Sequence, residues 1–310
     1  MKAFVIGPND AGQRLDKFAE KATSSLPRSL LYKAIRTKKI KVNRKRCEPG
    51  QILTEGDTVQ MFLAPEFFGE KDEAFLRLVP RVNALYEDEN VLVVCKEEGQ
   101  SCHSDETQAT GTLIDHIKSY LVKKGEYRPR EENSFVPALC NRIDRNTSGL
   151  VIAAKNAAAL RAMNDMIREH RVEKIYLAWI TGALPEAGTV TLYLKKDETE
   201  KRVAVSDTPR PGYLTAVTDY RPLATRGDRQ LLEVRLRTGR THQIRATFAH
   251  LGHPLVGDAK YGRDKNDPDF PHQALRAQTL IFHPEDGSPL SYLKDRRVDA
   301  PEDVRFSRTE

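Results

Sequence analysis

Two patterns of hydrophobic residues divide the chain into a short front segment and a longer back segment. In the front segment, two stretches with apolar residues at helical spacing precede two short stretches that alternate like strands. These predicted elements are GQRLDKFAEKAT (12–23), SLPRSLLYKAIR (25–36), KIKVNRKR (39–46) and GDTVQMFL (56–63). Their order predicts a small α/β module, which we place at residues 1–64.

The back segment begins near residue 81, after a stretch of mixed charge without a clear period at 65–80 that we interpret as a linker. Continuous apolar runs predict buried strands at 90–96 and 149–155. Further strands are predicted at 174–182, 188–196, 213–223 and 229–239, and helices at 113–125 and 157–170. Strands outnumber helices without regular strand–helix alternation. We therefore expect an α+β domain over 81–310, built on a largely antiparallel or mixed sheet.

The helix predicted at 157–170 has a recognisable start. Asn156 is well placed as its N-cap, and Leu160, Met163 and Ile167 form an apolar stripe at helical spacing. The pattern therefore predicts that this stripe packs against the sheet.

A last helix is predicted to start at Thr241 as its N-cap, with Ile244, Phe248 and Leu251 as its inward stripe. Arg245 lies only about 60° around this helix from Phe248. It therefore flanks the apolar stripe and should be partly buried. A buried arginine needs a carboxylate partner.

The composition indicates a soluble globular protein, with 39% hydrophobic and 30% charged residues. The chain has no apolar run near the length of a membrane span, and its N-terminus lacks the pattern of a signal peptide. Four cysteines without CxxC spacing are expected to be reduced thiols. These are Cys47, Cys95, Cys102 and Cys140. A cytoplasmic protein is the simplest interpretation.

Positive charge is concentrated in the front segment. Residues 28–46 carry nine lysines and arginines and no acid, a local charge of +9 compared with +6 for the whole chain, so the rest nets −3. Such density points to an anionic polymer as partner, although a solvated face would show the same composition.

The front segment resembles the S4 RNA-binding domain in the order of its elements and in the pattern RLDKF, LLYKAIR and KVN. This resemblance implies that its helix pair and basic turn contact RNA. The candidate RNA-binding residues are Arg28, Lys33, Arg36, Lys38, Lys39, Arg44 and Lys45.

Asp144 stands out in the segment NRIDRNTSG (141–149), where it lies between Arg142 and Arg145 in a turn cluster ahead of a buried strand. Loops on a rigid scaffold often carry functional groups. Taken alone, however, the segment is better explained by an aspartate that caps the turn or pairs with its neighbours.

Other candidate residues admit plain structural explanations. His242, His250 and His253 could ligate a metal, but they lack ligand spacing, so we expect polar histidines with satisfied hydrogen bonds and no metal. Trp179 is expected in the core. Tyr176 follows a short polar run, which leaves room for its ring or hydroxyl to reach a cleft.

Three stretches together resemble the RluA-type pseudouridine synthases: NRIDRNTSGLVIAAKN (141–156), EKIYLAWITG (173–182) and the segment from Arg237 to Gly262. The resemblance implies an enzyme that isomerises uridine to pseudouridine in RNA, with one essential aspartate and no cofactor. It is closest to members that modify large-subunit ribosomal RNA, with transfer RNA as the alternative target. We expect a monomer that does not bind membranes.

The resemblance also implies roles for particular residues. Asp144 would be the essential aspartate, since a carboxylate can attack or stabilise the sugar centre, or accept a proton from it. Arg245 would pair with it and hold it in place as a carboxylate. Tyr176 would stack on the base and help to remove the C5 proton. Arg142 would fill the gap left when the target nucleotide flips out.

Some positions depart from the family pattern, among them Asn141, Ile143, Arg276 and the KEEG turn at 96–99. None replaces a residue with an implied catalytic role. A non-catalytic RNA-binding or ribosome-assembly protein is the alternative in another class. A nucleoside or sugar hydrolase would need a second carboxylate to share the acid and base work, and the motifs contain no second acid with comparable support.

Overall fold

The computed structural model describes residues 1–69, 73–105, 108–197, 202–262 and 267–307. Within these ranges no helix has both the length and the apolar character needed to cross a membrane. The four cysteines are free thiols.

The front module is a three-stranded antiparallel sheet with two helices. Its elements are β1 (Lys2–Val5), α1 (Leu15–Ala22), α2 (Arg28–Arg36), β2 (Ile40–Val42) and β3 (Thr58–Met61), and the strand order is β1-β3-β2. Leu15, Phe18, Leu31 and Ile35 form its core, as the helical spacing predicts. Strand β1 was not predicted; only Phe4 of its four residues is buried, so the strand has no alternating apolar face.

The back segment is built on one large sheet. Its strands are β4 (Ala84–Glu87), β5 (Val91–Lys96), β6 (Ala138–Leu139), β7 (Ser148–Ala154), β8 (Val172–Thr181), β9 (Gly188–Asp197), β10 (Arg202–Ser206), β11 (Leu214–Arg226), β12 (Arg229–Leu236), β13 (Leu275–Phe282) and β14 (Arg297–Asp299). The order is β10-β9-β11-β12-β8-β13-β7-β5-β4, with β14 beside β13 and β6 beside β7. Among the described pairs only β7 and β13 run parallel. The predicted α+β class with a mixed, largely antiparallel sheet is confirmed.

Three helices pack against this sheet: α3 (Leu113–Lys123), α4 (Ala157–Arg168) and α5 (Gln243–His250). The predicted cap of α4 is confirmed, because the Asn156 side chain accepts a hydrogen bond from the backbone N–H of Ala159. The predicted stripe is only partly right: Met163 is buried, whereas Leu160 and Ile167 are half-buried. The buried face is centred instead on Ala159, Met163 and Met166.

The predicted start of α5 is wrong. Thr241 is not the N-cap; His242 takes that position in a left-handed backbone conformation with φ of 50°. Leu251 is 37% exposed, so it does not extend the inward stripe. The predicted burial of Arg245 is correct. The tight turn after β12 delays the helix by one residue, which the pattern of side chains does not encode.

Strands β4, β6, β10, β13 and β14 were also missed. β13 shows why, because its inward positions include the buried polar residues Arg276 and Thr279, which break the apolar pattern. Arg276 is satisfied by hydrogen bonds to the Ser148 hydroxyl and the Pro301 carbonyl. Partners distant in sequence therefore make this strand possible.

The front module is hydrogen-bonded to the back segment through the loop that follows β1. The Ser134 hydroxyl donates to the buried Asp10 carboxylate at 2.6 Å and accepts from the Gln13 amide at 2.8 Å. The Asn9 side chain accepts from the backbone N–H of Ala157, at the start of α4. These contacts fix the module against the sheet domain. The boundaries at 64 and 80 remain predictions.

The stretch at 65–80 contains two single turns of 3₁₀ helix, at Pro65–Phe68 and Ala74–Arg77, and its residues 70–72 lie outside the described part of the chain. Phe75 is buried and stacks on Tyr127, with 6.3 Å between the ring centroids. This half of the stretch therefore contributes to the core of the sheet domain.

Gly149, where β7 meets β13, should tolerate no side chain. Its φ is +109°, and an added Cβ would lie 2.1 Å from the carbonyl oxygen of Ala277. We expect Gly149→Ala to lower the free energy of unfolding, measured by urea denaturation, by about 3 kcal/mol. Gly99 also has a positive φ but open space around it. Gly99→Ala should cost only about 1 kcal/mol, and equal losses would contradict the steric account.

Candidate active site

Asp144 lies in the loop between β6 and β7, at the wall of a cleft of about 1280 Å³. The loop turns tightly, because the Thr147 N–H donates to the Asp144 carbonyl at 3.0 Å. The side chain is 28% exposed, so a ligand in the cleft can reach its carboxylate.

Arg245 binds this carboxylate from α5. Its Nη1 donates to Asp144 Oδ2 at 2.7 Å. The same guanidinium donates through Nε and Nη2 to the two oxygens of Asp258, at 2.7 and 2.8 Å. Its plane lies over the ring of Tyr261, 5.3 Å from the centroid. The structure thus brings Asp144 together with the arginine that the sequence indicated, 101 residues away.

Asp258 is a site residue that the sequence analysis missed. Its side chain is 0% exposed, and its Oδ1 also accepts from the backbone N–H groups of Lys260 and Tyr261. Burial alone would raise the pKa of Asp258, but the hydrogen bonds and charge of Arg245 outweigh it and hold that pKa below its usual value. One signal in the sequence could have indicated it. A buried arginine requires carboxylate partners, and it can bind more than one.

The neighbours of Asp144 do not pair with it. Arg145 donates to the Ser101 hydroxyl at 2.9 Å and binds Asp105 at 3.1 Å. The carbonyl of Arg145 accepts from Lys96 Nζ at 2.7 Å. Lys96 is fully buried, and burial lowers its pKa to about 8. Lys96 and Arg145 therefore fix the loop that carries Asp144.

Tyr176 lies on β8 and lines the same cleft, although its side chain is largely buried. Burial, together with the negative charge of Asp144, raises the pKa of its phenol. The phenol is therefore neutral at ordinary pH. Trp179, three residues further along the strand, lies in the core as predicted.

The three histidines considered as metal ligands are dispersed. His242 Nδ1 is 2.9 Å from the Tyr261 hydroxyl, His250 contacts Asp207, and His253 is 3.0 Å from the Thr181 carbonyl. Over the described residues, no group of three or more His, Cys, Asp or Glu side chains is arranged to hold a metal ion.

Positive charge surrounds the cleft. Arg142, two residues before Asp144 in the same loop, is exposed at the cleft wall. The other basic residues of the lining, besides Arg145 and Arg245, are Arg168, Lys174, Lys196, Arg240 and Lys260. A cleft of this charge suits the phosphate backbone of a nucleic acid.

The basic residues of the front module form a second cationic surface. All seven predicted RNA-binding residues are exposed: Arg28, Lys33, Arg36, Lys38, Lys39, Arg44 and Lys45. Arg28 forms a salt bridge with Glu20, in which its Nε donates a hydrogen bond at 2.8 Å. Asn43 and Arg44 adopt left-handed conformations in the turn after β2. Arg44 and Lys45, the last of the seven residues, lie in this turn.

Comparison with known families assigns both parts of the chain. The family model described as RNA pseudouridylate synthase matches residues 90–250. The model of the S4 domain matches residues 13–59. The first match spans the Asp144 loop, Tyr176 and Arg245.

Relatives match along almost the full length. The chain is 32% identical to the ribosomal large subunit pseudouridine synthase C of Buchnera aphidicola, over 98% of this chain and 94% of the relative. It is 31% identical to the protein of the same name from Salmonella typhi, over 99% and 95%. An uncharacterized RNA pseudouridine synthase of Mycoplasma genitalium is 32% identical over 90% and 88%.

Solved structures share the fold of the sheet domain. The human RNA pseudouridylate synthase domain containing 4 superimposes with a TM-score of 0.55 at 20% identity, covering 72% of this chain and 90% of that one. A sheet domain with a cationic cleft, joined to an S4 module, defines an enzyme that acts on RNA. The chain belongs to the RNA pseudouridine synthase family, and the RluA-type resemblance of its motifs is confirmed.

The two carboxylates that hold Arg245 should differ in their effect on stability. Asp258→Asn leaves a buried guanidinium without its bidentate partner and should lower the free energy of unfolding by about 3–5 kcal/mol. Asp144→Asn, at a partly exposed carboxylate, should cost about 1 kcal/mol or less. Urea denaturation of both variants measures the difference, and equal losses would contradict this account.

The pH dependence provides a second check on Asp258. Because its pKa is lowered in the folded protein, its stabilisation is present above the pKa of the unfolded chain and is lost as the pH falls through the lowered value. The gap between wild type and Asp258→Asn should therefore narrow in acid. A gap that is constant down to strongly acidic pH would exclude the ion pair as its cause.

Proposed function

We propose that this enzyme converts specific uridines of large-subunit ribosomal RNA into pseudouridine, with Asp144 as the residue on which the chemistry depends. The observation that carries the proposal is the Asp144 carboxylate, held at 2.7 Å by Arg245 and open to a cationic cleft. The names of the Buchnera and Salmonella relatives support the ribosomal target.

The geometry suits isomerisation at a glycosidic bond. Breaking the bond between N1 of uracil and C1′ of ribose develops positive charge on the sugar, and a carboxylate beside it can attack or stabilise that centre. Arg245 orients the Asp144 carboxylate through a hydrogen bond, and Asp258 orients Arg245 in the same way. These groups require no cofactor to act.

Tyr176 and Arg142 complete the proposed site. The neutral phenol of Tyr176, on the floor of the cleft, suits stacking on the flipped base. Arg142 is exposed at the cleft wall, where its guanidinium can enter the gap that the target nucleotide leaves. Flipping a nucleotide costs a few kcal/mol, which such an insertion partly offsets.

The front module is proposed to bind the same RNA outside the cleft. Its cations are exposed on a module that is hydrogen-bonded to the sheet domain through Asp10 and Ser134. RNA bound to the module is therefore held at a fixed distance from the cleft. We place the enzyme in the cytoplasm with its ribosomal substrate, acting as a monomer.

The central test is pseudouridine formation on unmodified ribosomal RNA. The purified protein should convert one or more uridines, mapped by chemical modification and primer extension. Asp144→Asn should bind the RNA with similar affinity but form no pseudouridine. Conversion by the variant at the wild-type rate would remove Asp144 from the mechanism.

The same experiment tests the target. Large-subunit RNA, small-subunit RNA and transfer RNA should be offered separately, and ribosomal RNA isolated from a deletion strain should lack the pseudouridines formed in vitro. Product confined to transfer RNA would contradict the ribosomal assignment while leaving the family activity intact.

The salt dependence of RNA binding tests the front module. Replacing Lys38, Lys39, Arg44 and Lys45 with glutamine should weaken binding and flatten the log–log salt slope. Each lost phosphate contact lowers that slope by about 0.7 on single strands, and by about 0.9 on a B-form duplex.

A control set removes the same charge elsewhere. Arg128, Arg130, Lys294 and Arg297 are exposed cations that pair with nearby carboxylates. Their replacement with glutamine should leave the slope unchanged. Equal flattening by both sets would show that the front module is only a solvated surface.

A further inference from the structure

His242 is held in an unfavourable backbone conformation at the wall of the cleft. Its φ of 50° places a residue with a Cβ in the left-handed region, which costs roughly 1–2 kcal/mol. Such strain persists only where surrounding contacts enforce it, and it is concentrated at functional sites. The His242 side chain is 16% exposed and lines the cleft. The position of His242 at the start of α5 does not by itself explain why its side chain lines the cleft.

The Tyr261 hydroxyl is the hydrogen-bond partner of one ring nitrogen of His242. The backbone N–H of Val203 donates to the Tyr261 oxygen at 2.9 Å. Burial raises the pKa of Tyr261, so the hydroxyl keeps its own proton. That hydroxyl lies 2.9 Å from His242 Nδ1. With the hydroxyl as the donor to Nδ1, the neutral imidazole carries its proton on Nε2.

Tyr261 is itself fixed by the ion-pair network of the site. Its backbone N–H donates to Asp258, and its ring lies under the guanidinium of Arg245. The orientation of the His242 ring therefore depends on the groups that also aim Asp144.

The Nε2–H group is left available beside the carboxylate. Nε2 lies 3.9 Å from Asp144 Oδ2, which is beyond hydrogen-bond distance. Burial lowers the pKa of His242; Arg245 and Lys260 act in the same direction, and Asp144 and Asp258 oppose them. The imidazole therefore faces the cleft in its neutral form with one directed donor.

We propose that His242 Nε2–H donates a hydrogen bond to the O2 carbonyl of the target uracil. This inference rests on the proposed role of Asp144 at C1′. When the N1–C1′ bond breaks, its electron pair leaves with the base, and O2, on the ring carbon next to N1, takes part of the negative charge. No proton is transferred; the donor stabilises the charge as it develops. Nε2 lies 3.9 Å from the carboxylate that acts at C1′ in the proposed function, and O2 is only three bonds from C1′.

Two substitutions separate the donor from the fold. His242→Asn tolerates the left-handed backbone but has no donor at the Nε2 position. Its single-turnover rate of pseudouridine formation should fall about 100-fold, the usual effect of losing one such donor. RNA affinity and the thermal midpoint should stay near wild type. His242→Gln, whose amide reaches the Nε2 position, should recover part of the rate. An Asn variant with the wild-type rate would overturn the proposal.

A substrate series identifies the acceptor. The uridine mapped in the ribosomal assay is replaced in a synthetic RNA by 2-thiouridine or 4-thiouridine, which weakens the acceptor at one position. His242→Asn should lose most of its effect on 2-thiouridine and keep it on uridine and 4-thiouridine. A full effect on 2-thiouridine would exclude O2 as the acceptor.

The tautomer is tested independently by ¹⁵N NMR of histidine-labelled protein. Wild type should show His242 protonated on Nε2 only, and Tyr261→Phe should populate the other tautomer and lower the single-turnover rate. A proton on Nδ1 in wild type would overturn the proposal. Asp144→Asn, assayed alongside, separates the two claims: its activity would defeat the proposed function, whereas activity of His242→Asn alone would defeat only this inference.

Discussion

The site depends on one guanidinium held between two carboxylates. A buried arginine can persist only if its donors are matched by acceptors, and Asp258 satisfies two of them with nearly ideal geometry. That bidentate pair fixes the plane of Arg245 and leaves Nη1 directed at Asp144. Because Asp258 is buried and Asp144 is open to the cleft, the same cation stabilises the fold through one carboxylate and holds the other at the cleft wall.

The sheet brings these groups together from distant parts of the chain. β13 lies between β8, which carries Tyr176, and β7, which follows the Asp144 loop. The close approach of β7 to β13 requires a glycine at position 149. Lys96, at the end of β5, fixes the Asp144 loop by donating a hydrogen bond to the Arg145 carbonyl. β8 therefore positions Tyr176, and β5 and β7 hold the loop that carries Asp144.

The hydrophobic pattern predicted the long and regular elements and failed where polar contacts replace it. β5, β7 and β12 were correct because their side chains alternate or form continuous apolar runs. β13 was missed because Arg276 and Thr279 are buried within it, and each is satisfied by partners far away in sequence. The start of α5 was misplaced for a similar reason. Its N-cap is set by a left-handed turn at His242, which has no signature in side-chain polarity.

The sequence by itself determined the class of enzyme, and it singled out Asp144, Tyr176 and Arg245 because they lie within contiguous motifs. It also showed that Arg245 would be buried and would need a carboxylate. Only the tertiary structure decided that there are two such carboxylates, that Arg145 binds Ser101 and Asp105 instead of Asp144, and that Tyr261 orients His242. These are contacts across the fold. Local periodicity reports which side of an element is buried, but not which atoms meet there.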